Sequence, residues 1–145
     1  MKLLFLTTLI VLFYSSSDAQ VFEGTWQGIY ITSDATFWDS IKLDCKWNPD
    51  KSYSIKSYTK GKNMHGKDTI IVCKVEYKII SRDSLVLYET EILEPLGTNP
   101  GICFQTMELK YQLGHHLQKN LVGKWYCKPK KNKGGGFLRL QKVSL

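Results

Sequence analysis

Ile41-Lys42-Leu43-Asp44-Cys45-Lys46-Trp47 sets apolar and charged side chains in strict alternation. Successive side chains of a strand point to opposite faces, so Ile41, Leu43, Cys45 and Trp47 share one face while Lys42, Asp44 and Lys46 share the other. Asn48-Pro49-Asp50 ends the run as a turn. The same period recurs from residue 22 to the C-terminus, and no window of comparable length carries a helical stripe. Strands are predicted at residues 22–32, 41–47, 53–58, 69–80, 85–93 and 102–113, in a segment ending at 126, and at 137–143, about eight in all. In the fourth, Ile71, Cys73, Val75, Tyr77 and Ile79 share a face, and Lys74, Glu76 and Lys78 fall on the other.

The connections favour sequential pairing. Arg82-Asp83-Ser84 is short enough to make a hairpin of the strands on either side. Residues 60–67, 94–101 and 128–136 are polar, rich in glycine, proline or lysine, and read as loops. Antiparallel strands with tight sequential turns close as an up-and-down barrel or pack as a sandwich; the sandwich needs crossovers that this chain mostly lacks, so the barrel is the expectation. A barrel of about eight strands is just wide enough to fill with side chains or to hold one small ligand.

Residues 1–19 lie apart from this pattern. Lys2 precedes an apolar run over residues 3–14, then Ser15-Ser16-Ser17-Asp18-Ala19. The run covers about a dozen residues against the roughly 20 that a membrane-spanning helix requires, and Ser17-Asp18-Ala19 fits a small-x-small cleavage site. A signal peptide at 1–19 is expected, with one domain over 20–145, a secreted or periplasmic location and no transmembrane segment after cleavage. The formal net charge of +7 then belongs to the mature part, since Lys2 and Asp18 cancel. Only Arg82 and Arg139 are arginines, whereas nucleic-acid readers lean on arginine for bidentate contacts; no nucleic-acid partner is expected, and an anionic surface is the partner that the charge suits.

Cysteines stand at 45, 73, 103 and 127, an even number in a chain bound for an oxidising compartment. Four permit three connectivities, and spacing does not choose among them. The pairing taken here, Cys45 with Cys73 and Cys103 with Cys127, closes two loops of about 25 to 30 residues, each worth roughly 3 to 4 kcal/mol. No C-x-x-C is present, and no metal or other cofactor is expected.

Phe22-Glu23-Gly24-Thr25-Trp26-Gln27-Gly28-Ile29-Tyr30 resembles the opening strand of the calycin superfamily, the lipocalin-like and avidin-like barrels, through Gly24-Thr25-Trp26. The resemblance implies that Trp26 closes the barrel floor against a basic residue near the end of the final strand, where Phe137-Leu138-Arg139-Leu140 offers Arg139. Gly24, Trp26 and Arg139 would then be structural. The downstream residues with which avidins hold biotin are not found in this chain. The second half is similar to small exported proteins of Bacteroidetes-type bacteria in Leu87-Tyr88-Glu89, Ile102-Cys103, Leu121-Val122-Gly123-Lys124-Trp125, and Cys127 followed by a glycine-bearing loop and a Leu-Arg-Leu strand. That likeness implies the Cys103–Cys127 pairing and brings no activity with it.

Few residues point to chemistry. His65, His115 and His116 fall in predicted turns, and adjacent histidines at a strand end point apart, so no catalytic or metal role is assigned. Glu89 and Glu91 have the same parity as Leu85, Leu87 and Leu93. If that face is inward they are buried acids, a carboxylate pair of the hydrolase type, needing a partner such as Arg139, Tyr77 or Tyr111. Trp47, Tyr53, Tyr77, Tyr30 and Tyr111 are the candidate ligand-lining residues, with Trp38 and Trp125 as further aromatics. The expected function is binding of a small hydrophobic or amphipathic molecule. The alternatives are an interaction module with a filled barrel, using lysines of 128–133 on an anionic surface, and a hydrolase built on Glu89 and Glu91.

Overall fold

Alternating apolar and polar residues bury one face of each strand, and a sheet with one wet face hides the other by closing on itself. The computed structural model, which describes residues 21–32, 40–62, 68–94, 104–128 and 135–144, shows this arrangement. Eight strands run in order: β1 Gly24–Thr32, β2 Ser40–Trp47, β3 Tyr53–Lys62, β4 Asp68–Ser81, β5 Ser84–Glu94, β6 Phe104–Leu113, β7 Lys119–Lys128 and β8 Gly135–Ser144. Each pairs antiparallel with its sequence neighbours, and β8 returns to β1, making a closed up-and-down barrel. A single turn of 3-10 helix, His115–Leu117, interrupts the strands among the described residues. No described helix is long and apolar enough to cross a membrane.

The turns at 48–52, 82–83 and 114–118 mark what we call the lower end. Asn48 and Ser52 close the first of these, where the Asn48 N–H donates to the Ser52 carbonyl at 2.9 Å. Asp83 ties the second by accepting from Ser81 Oγ at 2.7 Å and Ser84 Oγ at 3.0 Å, and those bonds hold its carboxyl below the usual range. At the same end Trp26, fully buried, donates from Nε1 to the Phe22 carbonyl at 2.9 Å and meets the Tyr111 ring edge-on at 6.4 Å. Gly24, at φ 119°, turns the chain from this plug into β1, in a conformation that favours glycine.

The cation over Trp26 is Lys142, with Nζ 5.5 Å from the ring centroid, rather than Arg139. Parity explains the correction. Leu138 and Leu140 are buried in the interior, so Arg139 between them is turned outward and exposed, while Lys142 shares their face and is Trp26's cross-strand partner.

The interior is filled by Leu43, Leu85, Leu87, Met107, Leu109, Leu121 and Leu140, each buried. Cys45 and Cys73 also face inward, but both are free thiols, so the expected Cys45–Cys73 disulfide does not exist. They lie on β2 and β4 with β3 between: Cys45 pairs with Ile55, and Cys73 with Ser57. Two strand spacings amount to roughly 9 to 10 Å, beyond the reach of about 7 Å between the α-carbons of a disulfide. Burial pushes both thiols up to about 12. Cys127 is not among the free thiols, and its expected partner Cys103 lies outside the described residues, as do residues 1–19, His65 and Trp38.

Candidate functional site

The aromatic residues expected to line a cavity divide between the two ends. Trp47, Tyr53 and Tyr77 form one edge-to-face stack at the lower end, with centroids 4.7 and 5.5 Å apart, and Phe22 meets Tyr53 at 6.3 Å. The stack is tied by hydrogen bonds from the Tyr53 N–H to Tyr77 Oη at 2.9 Å and from the Phe22 N–H to Tyr53 Oη at 3.3 Å. With Tyr111 against Trp26, these six rings pack the floor. Tyr30 is elsewhere. It lies at the upper end, edge-on to Trp125 at 4.9 Å.

Around Tyr30 the interior is polar. Its hydroxyl donates a short hydrogen bond to Gln105 Oε1 and stands 3.2 Å from Thr59 Oγ1. The Gln105 N–H donates to Glu89 Oε2 at 2.9 Å, and Ser57 Oγ donates to Glu89 Oε1 at 2.5 Å. Five residues from β1, β3, β5 and β6 are thus linked in one chain, with Glu89 and Ser57 buried at its inner end. Among the described residues no ion pair reaches Glu89, and burial is the largest influence on its carboxyl, which stands above the ordinary value; the bonds from Ser57 and Gln105 pull the other way. Burial and the Glu89 charge likewise raise the Tyr30 phenol well above its usual value. The Cys73 thiol beside Ser57 is too weak an acid to act as a nucleophile. Trp125 is buried, and its Nε1 donor has no hydrogen-bond partner among the described residues.

A bulge separates the two glutamates expected to share a face. Val75 pairs with Glu89 and Lys74 with Glu91, so Thr90 is the extra residue and the parity of β5 changes there. Glu89 points inward, whereas Glu91 is exposed. Two carboxyls on opposite faces of a sheet cannot flank one bond, so Glu89 and Glu91 do not form the carboxylate pair that their parity suggested. The partners of Glu89 are Ser57 and Gln105, not Arg139, Tyr77 or Tyr111. The main-chain ladder between β5 and β6 runs from Ser84↔Lys110 to Tyr88↔Thr106 and stops. One residue further, the Glu89 carboxylate takes the Gln105 N–H in place of a main-chain carbonyl, which leaves a seam beside the polar chain.

Ser57, Thr59 and Gln105 were not singled out from the sequence. A signal was present: Tyr53-Ser54-Ile55-Lys56-Ser57 continues the alternation, which puts Ser57 on the Ile55 face. A serine at an apolar parity position marks a polar interior. On the outer wall, strands β8, β1, β2, β3 and β4 bound a groove of about 1050 Å³, where Ile29, Ile70 and Val143 are exposed and Lys42 Nζ lies 3.9 Å over the Tyr58 ring. His115 and His116 are exposed in the 3-10 turn, and among the described residues no three His, Cys, Asp or Glu side chains are grouped to hold a metal. No family model, curated protein or solved structure matches the chain.

The buried carboxyl has a consequence for pH. A group whose folded value is raised stabilises fully below its unfolded value, here about 4.5, and that contribution is lost as pH rises through the folded value. Neither Tyr30 nor Cys73 titrates in that window, since both are raised. The melting temperature is therefore expected to fall between pH 4.5 and neutrality, and Glu89→Gln should flatten the fall. Melting curves by circular dichroism check this; parallel slopes for the two proteins would show that ionising Glu89 costs nothing.

Proposed function

We propose that this protein is an exported, lipocalin-like barrel that carries a small amphipathic molecule, its polar end received at the upper end of the interior by Tyr30, Thr59, Gln105 and Glu89. The observation that carries the proposal is the uneven filling of the interior. Large aliphatic side chains occupy its middle and aromatic rings its floor, whereas Ser57, Thr59 and Cys73 bring small or polar side chains to the upper layer. Polar groups inside a barrel cost free energy unless they are satisfied, so a linked polar chain beside an unpartnered indole donor suits a molecule that completes it. The apolar run at residues 3–14 with its small-residue cleavage site supports export to the periplasm or medium. The opening Gly24-Thr25-Trp26 and the floor built on Trp26 support the likeness to lipocalins, and the pairing of Cys103 with Cys127 belongs to the same proposal.

Native mass spectrometry of the protein purified from its own host, before and after organic extraction, tests this. A bound mass that extraction removes is expected. An unladen protein in which Trp125 emission responds to no amphipathic probe would overturn the reading.

A further inference from the structure

Glu89 has more acceptor capacity than its neighbours use. A carboxylate offers about four lone-pair positions, and two donors, Ser57 Oγ and the Gln105 N–H, account for its described bonds. Neither donor carries a charge, and the cations of the described ion pairs lie elsewhere, on Asp44, Asp68 and Asp83. A buried carboxylate without a counter-charge is among the costliest groups that an interior can hold. The residues beside it add a second preference. Tyr30, joined to Glu89 through Gln105, presents its ring edge-on to Trp125 at 4.9 Å, and the faces of two such rings attract cations.

We infer that the molecule received at the upper end of the interior carries an organic ammonium group, which the Glu89 carboxylate and the Tyr30–Trp125 ring pair receive, with an apolar or aromatic body attached. This rests on the carrier reading above and narrows its ligand class. The Trp125 Nε1 donor, which has no partner among the described residues, suits an acceptor elsewhere on the same molecule, such as a hydroxyl or carbonyl oxygen. The seam where the β5–β6 ladder stops at Tyr88↔Thr106 lies next to the carboxylate, so the ammonium meets Glu89 where the main chain makes no competing bond.

Three probes of one skeleton separate the possibilities: protonated phenethylamine, phenethyl alcohol and phenylacetate, titrated into extracted protein at neutral pH with tryptophan emission as the readout. The ammonium is expected to bind roughly thirtyfold or more tightly than the alcohol, and phenylacetate is expected to be excluded. Glu89→Gln should abolish the difference between ammonium and alcohol. Should that variant fail to fold, Glu89→Asp, which draws the carboxylate back by one methylene, is expected to narrow the difference, and an unchanged difference overturns the inference. Equal binding of ammonium and alcohol, or tighter binding of phenylacetate, overturns the inference while leaving the carrier reading in place. So does a molecule extracted from the host-purified protein that lacks a basic nitrogen. No response to any probe from a protein that is also unladen in its host overturns both.

Discussion

Trp26→Ala is expected to cost about 3 to 5 kcal/mol, a large part of the roughly 5 to 15 kcal/mol that a domain commonly has in reserve. Trp26 is fully buried, fixes the Phe22 carbonyl through Nε1, and stands between the Tyr111 ring and the Lys142 cation. Its removal opens a void at the lower end and frees the residues that plug it. Urea denaturation followed by circular dichroism gives the number. Two companion variants divide the effect: Lys142→Met should cost no more than about 1 kcal/mol, the scale of a cation–ring contact near a surface. Arg139→Ala should change stability by under about 0.5 kcal/mol, because its side chain points outward. A larger loss at Arg139 than at Lys142 would contradict the register of β8 against β1.

Adding one methyl group at either of two glycines is expected to be comparably damaging. A Cβ on Gly123 would lie 1.8 Å from the Glu108 carbonyl oxygen, and one on Gly28 would lie 1.8 Å from that of Arg139. Both obstacles are main chain on a hydrogen-bonded neighbour, so no rotamer change relieves them and the strands must part. Gly28→Ala and Gly123→Ala should each cost about 3 kcal/mol or more, or abolish folding, as read from soluble yield and urea midpoints. Gly135→Ala is the control. Its nearest atom, the Trp125 carbonyl oxygen, is 3.1 Å away, and a shift of a few tenths of an ångström accommodates it. If all three behaved alike, strand approach would not be the cause.

Strand order and polarity were legible in the sequence because side-chain alternation reports directly which face of a strand meets water. The run at 41–47 shows this, with Ile41, Leu43 and Cys45 buried and Lys46 exposed as the pattern requires. The sandwich was set aside on turn length, and the closed ring of neighbours agrees. What alternation cannot register is a change of count. The extra residue at Thr90 reverses the parity of β5, separating Glu89 from Glu91 although they stand two apart in sequence. The cysteines are a different case: Cys45 and Cys73 do share the interior, but the strand expected at 53–58 separates them under sequential pairing, so the sequence already argued against the bond. The placing of a cation on Trp26 followed from the resemblance, whereas the choice of Arg139 overlooked that Leu138 and Leu140 had already taken the inward positions. The polar chain was missed because Ser57, Thr59 and Gln105 carry no motif; only three-dimensional proximity to Glu89 makes them a group.

The return of β8 to β1 also limits what this protein can recognise and how. Each strand has a ladder partner on either side, so no strand offers a free main-chain edge along its whole length to which a peptide could add as a further strand. Recognition by β-augmentation, common among open-sheet adaptors, is therefore closed to the paired wall and left only to β5 beyond Tyr88, where the described ladder with β6 stops. Along the paired wall, selectivity has to come from side chains.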